Sequence, residues 1–405
     1  MTNKVQLLSL KITNFRSFYN TQLINFSDDD NDARQVTAIF GPNAGGKSNT
    51  AKALWTIKEF IEKSALANSR TLYDPFQLGV GSNQEDSAFE LKFNSNNRIF
   101  IYSFAVNKEM VTSEILREKN SDTDKYKVIF SRDKDKNLSS KAGEYGFNKK
   151  LADKTRAETL LITKAREDNN EYSNILFSLM DSLYIIHGGD GNIAGLAIFL
   201  INQNQELRQQ ALEMLKLSDF TIRDFLIQPA PLPEEMISQL PFTEEIKNNM
   251  RASGGLLTHT VHVVRDEGRR VTGQIGFDFG SQESMGTQKF FEIIVPIIDA
   301  VNRGKTVYID EFGAYLHPKL ANSIIALYKR NKGNAKLILN THNTYLMSRD
   351  EGTLSREDII FVEKNLDEES IITPLTSKSV REGESFEKRY RQGIYGAVPK
   401  IRLDV

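Results

Sequence analysis

The chain has 405 residues, which at roughly 150 residues per domain points to two or three units. With 40% hydrophobic and 26% charged residues it can bury a sizeable core, and the lack of cysteine excludes a disulfide framework, cysteine-held zinc and a thiol nucleophile. A formal net charge of −1 excludes a global pull toward nucleic acid, so any such surface must be local.

The N-terminus, MTNKVQLLSLKITNF, lacks the basic head, apolar run and cleavage site of a signal peptide. The longest apolar stretch, residues 290–301, contains Glu292 and falls short of the ~20 residues a membrane span needs. A cytoplasmic protein without a membrane partner is the expectation.

In chain order, VQLLSLKITNF alternates as a strand, and VTAIF at 36–40 is a short buried strand running into GPNAGGKS. Residues 49–67 turn helical, with Ala53, Leu54, Ile57, Phe60 and Ile61 on one stripe. AFELKF and IFIYSFAV form a hairpin about NSNN. Residues 119–156 hold eleven Lys/Arg against six Asp/Glu. They read as a solvated loop or extended arm, or as a docking patch for nucleic acid or an acidic partner.

Residues 157–252 read as mostly helical, from AETLLITKA through EYSNILFSLMDSLYII and QELRQQALEMLKL to PEEMISQL, punctuated by Pro229, Pro231 and Pro233. Heptads do not persist, which argues against a long coiled coil. A hairpin follows, turning near Glu267-Gly268. Helices and strands then alternate to the end, predicting an α/β fold with a mostly parallel sheet. No internal repeat is visible. The expected division is residues 1–118, a basic arm and helical insert at 119–252, and residues 253–405.

Residues 41–48 match G-x-x-x-x-G-K-[ST] in full, between an apolar strand and a helix. The glycines let backbone N–H groups curl around phosphate oxygens, aided by the helix N-terminus. Lys47 would reach the β- and γ-phosphates and Ser48 would hold Mg²⁺. Downstream, the apolar strand VYIDE ends in two carboxylates. Asp310 is placed for the Mg²⁺ shell and Glu311 to polarise the attacking water, because adjacent residues at a strand end diverge. His342, at the end of the next strand, suits a γ-phosphate sensor. Ser284 can cap the helix after SMGTQ, whose N-terminus can bind an anion.

KITNFRSF, GPNAGGKS, SMGTQ, VYIDEFGAYLHP and LILNTHNTYLMS together resemble the ABC-type ATPase heads of the SMC, RecF, Rad50 and OLD group. YRQGIYGAVP and YIDEFGAYLHP are similar to the AAA15 branch in particular. The resemblance spans nearly the whole chain and implies an ABC-type head with an N-terminal antiparallel part. It implies ATP and Mg²⁺ as cofactors, bound by Gly41, Pro42, Asn43, Ala44, Gly45, Gly46, Lys47, Ser48 and Asn49, with Arg16 nearby. It further implies a homodimer or higher homo-oligomer in which Ser284, Gly286 and Gln288 act on the partner's nucleotide. Gln77 and Gln84 are the candidates for the Q-loop glutamine, and SMGTQ lacks the second glycine of the usual signature.

Branch members serve in anti-phage systems of the PARIS and AbiL kind, beside separate TOPRIM or RloB-like nucleases. The resemblance therefore implies an ATPase that senses infection or DNA and controls such an effector. The alternatives are a RecF-like DNA repair clamp and a non-hydrolysing scaffold assembled by ATP. Too few residues follow His342 for a fused TOPRIM domain, and Glu363 in FVEKN reads as a surface residue.

Overall fold

The computed structural model describes residues 4–29, 32–120, 123–186, 193–218, 221–231, 254–314, 316–331, 333–348, 354–380, 383 and 385–398. In chain order the first elements are β1 (Val5–Thr13), β2 (Gln22–Asn25), β3 (Val36–Phe40), α1 (Lys47–Lys63), β4 (Ser87–Ser95), β5 (Arg98–Val106), β6 (Val111–Lys119) and β7 (Tyr126–Asp133). There follow α2 (Lys149–Lys154), α3 (Leu161–Ala165), α4 (Glu171–Asp181), β8 (Leu183–Ile186), α5 (Ile193–Gln203), α6 (Gln205–Leu217), β9 (Asp224–Ala230), β10 (Gly255–Arg265) and β11 (Val271–Asp278). The last are α7 (Met285–Arg303), β12 (Thr306–Ile309), α8 (Pro318–Arg330), β13 (Lys336–Thr341), β14 (Ile359–Lys364), β15 (Ser370–Pro374) and α9 (Phe386–Arg391).

The apolar runs without alternation become the core sheet. VTAIF, TVYI and KLILNT are buried at every position, as parallel strands covered on both faces must be. They form a six-stranded sheet of order β15-β14-β3-β13-β12-β8, parallel except for the edge strand β15. The alternating runs form a second sheet, order β2-β1-β4-β5-β6-β7, antiparallel throughout. Its NSNN turn has Asn96 and Asn97 both left-handed, at φ 51° and 67°, as a two-residue hairpin requires.

Helix α1 ties these two sheets into one core. Its stripe of Ala53, Leu54, Ile57 and Ile61 is fully buried, in a cluster that takes Phe89 and Phe104 from the antiparallel sheet and Ile39, Ile338 and Val362 from the parallel one. Phe60 meets Phe104 at 5.8 Å between ring centroids. On the half-buried side of α1, the Lys52 ammonium lies 3.9 Å over the ring of Trp55.

The chain divides into two compact units, Met1–Gly189 with Ala300–Val405, and Asp190–Asp299. The first holds both six-stranded sheets. The second holds α5, α6, most of α7 and a three-stranded antiparallel sheet of order β11-β10-β9. These units do not follow the boundaries expected at 118 and 252. The expected helical insert is mixed α/β among its described residues, and PEEMISQL lies outside them. Two strands depart from the expected helix and from the expected proline break. LYII ends the helical pattern of α4 but forms β8, beside β12. Pro229 falls inside β9, where an edge position tolerates the missing N–H.

The basic segment 119–156 is not an extended arm. It supplies the edge strand β7 and helix α2, and many of its cations are spent inside the fold. Lys119 pairs with Asp124 at 2.6 Å and Lys127 with Glu118 at 3.3 Å. Lys136 donates to the Thr155 carbonyl at 2.7 Å, and Arg156 donates to the carbonyls of Ala67 and Ser64 beyond the end of α1.

Arg132 and Glu114 are buried together, 2.8 Å apart. Glu114 also accepts from the Tyr102 hydroxyl at 3.0 Å and from the backbone N–H groups of Leu161 and Ile162 at 2.7 and 2.9 Å. One carboxylate thus pins β5, β7 and the start of α3. Removing one partner of such a pair strands a buried charge. Glu114→Ala should therefore cost about 3–5 kcal/mol of stability, read as a fall in the urea midpoint. A midpoint within error of the wild type would show that the carboxylate is dispensable.

Candidate functional site

The glycine loop between β3 and α1 is shaped by close contacts. A Cβ on Gly41 would lie 2.0 Å from the Val362 carbonyl oxygen of β14, and one on Gly45 would lie 3.0 Å from the same oxygen. Gly46 has φ +108°, and a Cβ there would meet Ser370 Oγ at 2.2 Å. Ser370 in turn donates to the Gly45 carbonyl at 2.8 Å. Ala44 is left-handed at φ 59°. Left-handed residues in a loop entering a helix N-terminus gather N–H groups into an anion-binding concavity.

This loop opens on a cleft of about 490 Å³ lined by Asn43, Ala44, Gly45, Gly46, Lys47, Ser48, Asn49, Asp310, Glu311, Ala314 and His342. Segments far apart in the chain, one from residues 43–49 and one from 310–342, therefore meet in one place. Gly41 and Pro42 are not in the lining. Their carbonyls accept the Lys47 ammonium, each at 2.9 Å. Burial lowers the Lys47 pKa from its ordinary value, opposed by the charges of Asp310 and Glu311. Ser48 is exposed to the cleft.

Asp310 and Glu311 follow the last residue of β12. The Asp310 N–H donates to the Ile186 carbonyl at 2.7 Å, extending the β8 pairing and leaving Asp310 half-buried. The next residue, Glu311, is left-handed at φ 56° and exposed. A non-glycine residue held there is strained. His342 follows β13 and is also exposed.

Below the cleft lies a polar network that sequence reasoning did not identify. Asn340 Nδ2 donates to the Lys47 carbonyl at 2.7 Å and to Asp310 Oδ1 at 2.9 Å. Its Oδ1 accepts from the Tyr308 hydroxyl at 3.0 Å, and Tyr308 shares a 2.5 Å hydrogen bond with Thr50 Oγ1. Burial raises the Tyr308 pKa far above its ordinary value, keeping the hydroxyl a donor. The available signal was an asparagine directly after the apolar run LIL in the buried strand KLILNT.

Arg16 is left-handed at φ 53° and lines an adjoining cleft of about 320 Å³ with Asn49, Asp74, Gln77 and Lys364. Its Nε donates to Asp74 at 2.7 Å and its Nη1 to Asn49 at 3.4 Å. Asn49 belongs to both clefts. Gln77 also stands beside Arg16, its amide donating to the Pro75 carbonyl at 2.9 Å. Gln84 lines neither cleft and forms part of a short turn, Ser82–Gln84.

Ser284, Gly286 and Gln288 belong to the second unit, whereas every residue lining the 490 Å³ cleft belongs to the first. Ser284 caps α7, accepting the Thr287 N–H at 3.1 Å. The Gln288 amide donates to the carbonyls of Gly280 and Glu283, each at 3.0 Å, and shapes the turn before the helix. Glu363 is not a plain surface residue. It is half-buried and accepts the Ala397 N–H at 2.6 Å.

A glycine loop between a buried strand and a helix, facing an acidic strand end on a parallel sheet, defines a P-loop ATPase-type head. The chain belongs to the family described as "AAA domain, putative AbiEii toxin, Type IV TA system", which matches residues 36–188 and 203–348. No curated protein matches the chain. Among solved structures it is similar to an SmcHead bound to the C-winged helix domain of ScpA, with 14% identity, TM-score 0.44, and coverage of 95% of this chain and 99% of that one. It is similar also to the SMC head domain from Thermotoga maritima, at 16% identity, TM-score 0.42, 93% and 100% coverage. A third is the Smc head domain with an extended coiled coil bound to the C-terminal domain of ScpA derived from Pyrococcus furiosus, at 14% identity, TM-score 0.42, 96% and 99% coverage. Among the described residues no helix is long and apolar enough to cross a membrane.

The strain at Glu311 is measurable without any ligand. Glu311→Gly and Glu311→Ala both remove the carboxylate, but only glycine relaxes a left-handed backbone. The glycine variant should be more stable than the alanine variant by about 1 kcal/mol, read from paired thermal melts. Equal stability, or an alanine variant that melts higher, would refute the strain.

Proposed function

We propose that the chain is a Mg²⁺-dependent ATPase head that acts as a homodimer or higher homo-oligomer and controls a separate nuclease-type effector in anti-phage defence. The observation that carries the ATPase reading is the single cleft into which Lys47, Ser48, Asp310, Glu311 and His342 all open. The donor set fits the implied cofactors. The loop offers backbone N–H groups and one ammonium to phosphates. For a metal it offers one hydroxyl and a carboxylate, the sparse set that suits Mg²⁺ shared with substrate phosphates.

In this reading Lys47 exchanges its two carbonyl partners for β- and γ-phosphate oxygens. Ser48 and Asp310 would hold Mg²⁺, which would supply charge neutralisation at the phosphates. Glu311 takes the proton of the attacking water, His342 reads the γ-phosphate, and Arg16 with Asn49 borders the nucleotide on the other side. Glu311 weighs for hydrolysis over an ATP-assembled scaffold, because a scaffold has no need of a general base.

Support for the assembly comes from the resemblance to ABC-type heads and from Ser284 and Met285 standing exposed at the start of α7. Ser284, Gly286 and Gln288 would then face the nucleotide of the partner. The family description, which names a toxin of a Type IV system, supports a place in a conflict system with a second component. Lys134, Lys149 and Lys150 of the basic segment stand exposed, where a nucleic acid trigger would meet them, whereas Lys136 is held by the Thr155 carbonyl.

Two experiments test these assignments. Lys47→Ala should abolish ATP binding, whereas Glu311→Gln should bind ATP normally and hydrolyse it about 10²–10⁴-fold more slowly. Wild-type turnover by Glu311→Gln would remove the assigned base. Ser284→Arg should bind ATP as a monomer yet lose turnover, and mixing it with Lys47→Ala protein should restore activity in hybrid dimers. Dimers that form without any rescue would exclude a shared site.

A further inference from the structure

Residues 386–398 fold back onto the core sheet and reach the segment that carries His342. Gly393, Gly396 and Ala397 are left-handed, at φ 74°, 76° and 56°, and turn the chain sharply after α9. The ring of Tyr390 stacks on Phe361 of β14 at 5.4 Å and 8°, and Tyr395 stacks on the same ring at 5.8 Å. Tyr390 also meets Phe40, the residue just before the phosphate loop, at 6.4 Å. Its hydroxyl donates to the Ala397 carbonyl at 2.6 Å, and Glu363 accepts the Ala397 N–H. A Cβ on Gly396 would lie 2.5 Å from Glu363 Oε1, so the turn seats on that carboxylate.

Anchored in this way, α9 presents Arg391 to the turn Thr344–Met347. Arg391 Nε and Nη2 donate to Thr344 Oγ1 at 3.2 and 3.0 Å. The same guanidinium pairs with Glu387 at 2.7 Å, and the Thr344 hydroxyl donates to Glu387 at 3.5 Å. The three side chains close a ring of hydrogen bonds in which the threonine hydroxyl both accepts and donates. Asn343, between Thr344 and His342, caps the turn by accepting the Tyr345 N–H at 3.2 Å. His342 itself is exposed in the cleft, on a segment fixed on one side by β13 and on the other by this ring.

We propose that Arg391 and Thr344 are positioning residues for His342, holding the 343–347 turn so that the imidazole stays in the cleft. The proposal rests on the ATPase reading of that cleft. Arg391 does not line the cleft, so its loss should change the rate of the step that His342 serves and leave ATP affinity alone. Arg391 is 64% exposed on its side chain, and replacing it removes no core packing.

The test compares ATP affinity, turnover and melting temperature in Arg391→Ala, Thr344→Val, Thr344→Ser, His342→Ala and the Arg391→Ala/His342→Ala double variant. Arg391→Ala and Thr344→Val should each slow turnover roughly tenfold, about the effect of one lost charge-assisted hydrogen bond, at unchanged ATP affinity. Thr344→Ser, which keeps the hydroxyl, should behave as wild type. In the His342→Ala background Arg391→Ala should add no further loss, as expected of residues acting through one group. Wild-type turnover by both Arg391→Ala and Thr344→Val, or losses that multiply in the double variant, would overturn the proposal, as would wild-type turnover by His342→Ala. If the wild-type chain hydrolyses no ATP, the reading of the cleft fails separately. Hydrogen exchange then decides the positioning: amides of residues 343–347 should open about tenfold faster in Arg391→Ala, and unchanged exchange would sink it.

Discussion

A buried amide, that of Asn340, joins the parts of the cleft. It stands on β13 between the phosphate loop and the acidic strand end, and its two N–H bonds go to one of each, the Lys47 carbonyl and Asp310. Its oxygen is occupied by Tyr308. An amide removed from water destabilises unless its donors and acceptor are matched, and here the protein matches all of them. The same low dielectric that penalises a missing partner strengthens the bonds made. The position of Asp310 relative to α1 is thereby set by a network of short bonds from beneath, independent of anything bound above.

That arrangement follows from the order of strands. β13 lies between β3, which carries the loop, and β12, which carries the carboxylates. A side chain at the end of the middle strand is the one able to reach both neighbours. The glycines act on the opposite flank. Gly41 and Gly45 let the loop press against the Val362 carbonyl of β14, and Gly46 admits Ser370 of β15. The loop is thus held by backbone contact on one side and by the Asn340 amide on the other.

Much of this was legible in the sequence, and the failures share a cause. The phosphate loop, its flanking strand and helix, the acidic pair and His342 were readable because each is a local pattern. The strands of the core sheet were readable because burial on both faces leaves unbroken apolar runs. Asn340 was not singled out, since its partners Lys47, Tyr308 and Asp310 lie far away in the chain. Arg132 was counted as one charge of a basic segment because its partner Glu114 sits outside that segment, opposite it on the neighbouring strand β6. LYII was absorbed into α4 because four apolar residues after a helix carry no period of their own. Only the cap at Ser182, whose N–H binds the carbonyls of Ser178 and Leu179, marks the break. Glu363 was read as surface because the turn it seats, around Ala397, is distant in sequence.

Trp55, on the helix that begins with Lys47, is the only tryptophan of the chain, and there is no cysteine. All indole emission therefore originates on the helix behind the phosphate loop, two turns from the loop lysine, with the Lys52 ammonium held over the ring. The protein carries a built-in optical reporter of that helix, with no label and no competing chromophore of its kind. A cysteine introduced anywhere else would be the single attachment point for an energy-transfer acceptor, so distances from α1 to any chosen position can be followed in the otherwise unaltered chain.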